Sequence, residues 1–150
     1  MRYEDVRERL LLCAAERGQG AIAEEIERAE RELDVILPDG YRSFLRELGW
    51  AAIGHHEIYG LGAEVPYHLD LIRVTMSERT EALPLTPPWL VPVMNDGAGN
   101  LHCLDTSRLR HGECPVVFWD HELGEAQVPD DVAEDLPSWL AALLDEGGGP

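Results

Sequence analysis

From Val93 to Thr106 the chain reads VMNDGAGNLHCLDT, and from Cys114 to Glu122 it reads CPVVFWDHE. The residue types here can do chemistry. Asp96, Asn100 and Asp105 are the hard oxygen ligands that calcium takes. Gly97 and Gly99 suit a loop that cradles phosphate, and His102, Cys103, His111, Cys114 and His121 are zinc-ligand types. Spacing weighs against each use. In a calcium loop counted from Asp96, position three falls on Ala98 and position twelve on Ser107, where a ligand and a bidentate glutamate are required. A phosphate loop needs its lysine, and the chain has none. No short paired Cys or His spacing of a structural zinc site occurs, and His102 and Cys103, as strand neighbours, point to opposite faces.

Nucleophilic chemistry fares no better. Ser43, Ser77, Ser107 and Ser138 lie in no glycine-flanked elbow, and Cys13, Cys103 and Cys114 have no active-thiol signature around them. Gly54 to Glu57, GHHE, lacks the helical histidine pair of a metalloprotease. The expectation is no catalytic residue, no metal and no cofactor. The NDGAGN stretch then reads as a tight hairpin, its glycines at positive φ and its Asn and Asp side chains bonding nearby backbone.

The elements that must position these residues follow from periodicity. A first helix is predicted over 3–17 (Val6, Leu10, Cys13 and Ala14 at helical spacing) and a second over 21–33, with the stripe Ile22, Ile26, Ala29, Leu33. Pairs Glu24–Arg28 and Glu27–Arg31 are expected on the outer face of the second. A third helix follows Pro38 and Asp39, carries Tyr41, Phe44, Leu45 and Leu48, and closes on Gly49. EIYGLG predicts a short strand, and 68–79 a helix with Leu69, Ile72 and Met76 on one face.

Beyond that the period changes. WLVPVMND, NLHCLDTS and CPVVFWDH predict three antiparallel strands. Pro92 places the first at an edge or on a bulge, because it cannot donate to a ladder. The third has apolar residues on both faces, as a strand covered on both sides would. A last helix is capped by Asp135, takes Pro137 in its first turn and stops at Gly147. Helices, then strands, then a helix predict an α+β fold with a mostly antiparallel sheet flanked by helices. The expected layout is an N-terminal helix over 1–20, the main unit over 21–146 and a flexible glycine tail over 147–150.

Charge is the unusual property. Twelve basic residues, all Arg, face 29 acidic ones, for a net charge of −17. After Arg110 no basic residue occurs, while acids accumulate. Such a field repels nucleic acid and favours a basic protein partner. The candidate partner-binding surface is Asp120, Glu122, Glu125, Asp130, Asp131, Glu134 and Asp135. The charged N-terminus predicts no secretion signal, apolar runs are too short for a membrane span, and three widely spaced cysteines predict a reducing cytoplasm.

Four stretches, taken in order, point to a family. AEEIERAERELDVILPDGYRSFLRELGW, EIYGLG, LVPVMNDGAGNLHCLDTS and CPVVFWDHE resemble the SUKH superfamily, over roughly residues 22–144. Its members include yeast Smi/Knr-type regulators of cell-wall synthesis and bacterial immunity proteins that neutralise polymorphic toxins. The resemblance implies an α+β fold, a protein-binding role without catalysis, and motif residues that are architectural. His102 departs from the pattern, since an aromatic residue is common there. The partner implied is a basic toxin domain, such as a nuclease, and the alternative is a scaffold or regulator without a toxin partner.

Overall fold

A computed structural model describes residues 1–146; the tail at 147–150 and the helix stop at Gly147 lie outside the described residues. The element order is α1 (Tyr3–Cys13), β1 (Glu16–Arg17), α2 (Ala23–Leu33), α3 (Asp39–Glu47), β2 (Ala51–Ile53), β3 (His56–Ile58), α4 (Leu71–Thr80), β4 (Leu90–Asn95), β5 (Leu101–Asp105), β6 (Val116–Trp119), β7 (Asp130–Ala133) and α5 (Leu136–Glu146). The strands form one antiparallel sheet in sequence order, β1 to β7. The chain is therefore α+β, as its pattern predicts.

Most of the core joins one face of the sheet to the helices. Tyr3, Val6 and Leu10 of α1, Ile26, Ala29 and Leu33 of α2, Tyr41, Phe44 and Leu45 of α3, and Trp139, Leu140, Leu143 and Leu144 of α5 share a single cluster with Val91, Val93, Leu104 and Val116. Helix α1 is thus part of the same core as the rest. A second, smaller cluster lies on the opposite face and comprises Leu90, Leu101, Cys103, Val117 and Trp119. Strand β6 feeds both clusters, which is why its apolar residues do not alternate. The segment between α4 and β4 is tied back to α4, where Thr86 N–H donates to the Glu78 carbonyl at 3.0 Å.

Several local expectations are revised. Helix α1 stops at Cys13, not Arg17, because Ala15 N–H donates to the Ala52 carbonyl (2.9 Å) and Gly18 N–H to that of Trp50 (3.1 Å), so this stretch joins the sheet edge instead of extending an exposed helix. Helix α2 starts two residues late; Ile22 is exposed, and the ion pair formed is Arg28–Glu32 at 2.5 Å. Residues 67–69 form a 3₁₀ turn, and α4 begins only after Asp70, whose carboxylate accepts from Ile72 N–H (3.1 Å). The buried face is then Leu71, Val74 and Thr75, leaving Met76 outside.

Pro92 sits in β4, between β3 and β5, so the strand is no edge; a bulge between Pro92 and Met94 absorbs the missing donor. At the end of α3, Gly49 takes φ +81°, and its N–H returns to the Phe44 carbonyl. Asp135 caps α5 through Ser138 N–H at 2.8 Å.

Candidate functional site

The hairpin between β4 and β5 is built from side chains that serve the turn. Asn95 Oδ1 accepts from Gly97 N–H (2.8 Å), and Asp96 Oδ1 accepts from Ala98 N–H (2.8 Å) and Asn100 N–H (3.1 Å). Asn100 Nδ2 donates to Asp96 Oδ2 at 3.0 Å, while its Oδ1 lies 2.8 Å from His121 Nδ1. Partial burial raises the Asp96 pKa, but the bonds from Asn100 and Ala98 outweigh it and leave the group below its ordinary value. Gly97 and Gly99 stand at φ +88° and +96°. The oxygen atoms that a cation would need are spent on N–H donors. Among the described residues no group of three or more His, Cys, Asp or Glu is arranged to hold an ion.

The zinc-type residues are dispersed by the pleat. Cys103 lies in the smaller cluster and Cys114 in the larger one, and burial drives both thiols up, that of Cys114 to about 12. Neither thiol is set up as a nucleophile at neutral pH. His102, on the helix-bearing face, accepts a hydrogen bond at Nδ1 from the Trp139 indole N–H (2.8 Å) and meets the Phe118 ring edge-on. It fills an aromatic position as an aromatic would, with a hydrogen-bond acceptor added.

The other motif residues are structural. The buried Tyr41 hydroxyl donates to the Tyr59 carbonyl (2.6 Å), and Gly40 N–H donates to the Glu113 carboxylate (2.8 Å). A Cβ at Gly40 would lie 2.9 Å from the Pro137 ring, so the start of α3 can approach α5 only without a side chain there.

The seven carboxylates proposed as a partner-binding surface divide into two groups. Asp131 is gripped by Arg108, whose two terminal nitrogens reach it at 3.1 and 2.5 Å, and Arg108 Nε holds Asp105 at 2.9 Å. The sequence places no cation near Asp131; the antiparallel pairing of β5, β6 and β7 brings one. Asp135 is buried and committed to its cap. Asp120 bonds Glu122 N–H (2.8 Å), and Glu125 bonds Leu85 N–H (3.1 Å), so both shape loops. Glu122, Asp130 and Glu134 are exposed, and no arginine pairs with them among the described residues. The nearest basic group is the imidazole of His121, whose Nε2 lies 3.9 Å from Glu122.

Two apolar features share the surface. A groove of about 950 Å³ lies between the end of α2 and the ends of β4 and β5, with Ile36 and Trp89 exposed in it; Arg31 also lines it, and its Glu30 is already paired with Arg42 at 2.6 Å. The other feature is a set of exposed side chains: Leu83, Leu123 and Val128 on loops and Val132 on β7. The sequence reading missed both, since isolated apolar residues in loops carry no periodic signal. Among the described residues no helix is long and apolar enough to cross a membrane. The family model described as SUKH_5, SMI1-KNR4 cell-wall, matches residues 8–145, from within α1 almost to the end of α5.

Proposed function

Because the chain belongs to the SUKH family, whose membership supports a protein-interaction role, we propose that it is a non-catalytic immunity protein acting in the cytoplasm. On this reading it neutralises a cognate toxin by binding the toxin's basic domain and occluding its active site. The observation that carries the proposal is the set Glu122, Asp130 and Glu134, exposed and with no arginine partner among the described residues. Holding such charges together costs self-repulsion, which a cationic partner offsets. A groove evolved for phosphate is one such partner surface. A regulator of cell-wall type, with an endogenous partner, is the second reading, and the cell-wall character of the matched family favours it.

Co-expression tests the proposal. The gene's neighbours are searched for a toxin domain, the chain is produced in a bacterial host together with it, and growth is followed; a gene with no such neighbour favours the second reading. Wild type restores growth. The triple variant Glu122→Lys, Asp130→Lys, Glu134→Lys melts like wild type but protects poorly, and its association rate at low salt falls by about tenfold or more. Full protection by the triple variant, or an association rate indifferent to salt, refutes the reading.

A further inference from the structure

We infer that the partner is anchored by apolar contacts on two neighbouring loops, 81–87 and 120–129, with β7, and that its complementary surface sets leucine-like or aromatic side chains among arginines or lysines. This rests on the basic-partner reading above and adds where the partner sits and what it must present.

Leu83 and Val128 are each 90 % exposed, Leu123 54 % and Val132 44 %. Single exposed apolar residues are ordinary, but Leu83, Leu123 and Val128 stand on loops that touch and are held in shape, and Val132 follows on β7. Leu85 N–H donates to the Glu125 carboxylate at 3.1 Å, tying one loop to the other. Gln127 bonds both the N–H and the carbonyl of Asp120, at 3.1 and 2.9 Å, which fixes the second loop across its base. The apolar groups are therefore presented by a preorganised surface, where little ordering entropy remains to be lost on binding.

The charges around them select the occupant. Glu81, Glu122, Asp130 and Glu134 are exposed beside these side chains. From residue 81 onward the only arginines are Arg108 and Arg110, and Arg108 is held by Asp105 and Asp131. An apolar centre within an acidic rim is the anatomy of a specific interface, with the rim steering and the centre retaining. A second copy of this chain is a poor occupant, because it would set like charges against each other on molecules of net charge −17. The groove at Ile36 and Trp89 offers a mixed lining instead, with Arg31 set among Glu27, Asp34 and a Glu30 already paired with Arg42, and it is the competing site.

Two short peptides of equal positive charge test this, one alternating arginine with leucine and one arginine with serine. Binding is measured by titration, and amide shifts map the site on the full chain. The leucine peptide is expected to bind about tenfold more tightly, a difference of 1.4 kcal/mol by the affinity relation, and to shift residues of both loops. Leu83→Ser with Val128→Ser, at positions too exposed to matter for folding, should erase that preference. Equal binding of the two peptides overturns the anchoring but leaves a basic partner intact. Shifts centred on Ile36 and Trp89 overturn it in favour of the groove. No binding by either peptide overturns both this inference and the reading it rests on.

Discussion

Replacing Trp119 with alanine distinguishes a core residue from an interface one within the CPVVFWDHE stretch. The indole is 2 % exposed and packs in the five-residue cluster with Leu90, Leu101, Cys103 and Val117, on the face of the sheet away from most helices. Truncating a buried tryptophan costs about 3–5 kcal/mol, from lost transfer energy and the cavity left behind. For a chain of this length each kcal/mol shifts the melting temperature by about 2–4 °C, so the variant should melt roughly 6–20 °C below wild type. Urea unfolding should show the midpoint falling with an unchanged slope. A loss under about 1 kcal/mol, or a variant that stays folded and loses only its partner, would refute the reasoning and place Trp119 in the interface.

Two further outcomes follow from the same geometry. Gly99→Val forces a β-branched residue to φ +96° and its Cβ to 3.2 Å from the His121 ring, so a loss of about 1–3 kcal/mol is expected, while stoichiometric calcium or zinc should leave the wild-type melting temperature unchanged. Burial holds His102 below its ordinary value of 6.5, and the Trp139 N–H requires Nδ1 to be unprotonated. The unfolded chain therefore takes up the proton first, so this contribution is complete above about pH 6.5 and declines as pH falls toward the depressed folded-state value. Subtracting the pH–stability profile of His102→Gln, which keeps an acceptor without titrating there, removes the opposing effects of half-buried Glu78 and Glu113, both raised by desolvation. A difference profile flat from pH 7 to 5 would contradict the assignment.

The sequence by itself determined the helices with a clean apolar stripe, the three apolar strands, the hairpin chemistry of Asn95 to Asn100 and the caps at Gly49 and Asp135. Each is set by local forces: periodicity, positive φ, and a side chain bonding its own backbone a few residues away. What only the tertiary structure decided depends on partners distant in the chain. Strands β1 and β7 lack an apolar pattern and exist because β2 and β6 offer them hydrogen bonds. Pro92 could enter the middle of the sheet only through a bulge. The acidic C-terminal run looked uniform, with no cation after Arg110. Folding carries Arg108 across to Asp131, buries Asp135 in a cap and leaves Glu122, Asp130 and Glu134 exposed with no arginine partner among the described residues. Charge composition is additive along a chain, but neutralisation falls off within a few ångströms, so only the fold could decide which of the acids remain available to a partner.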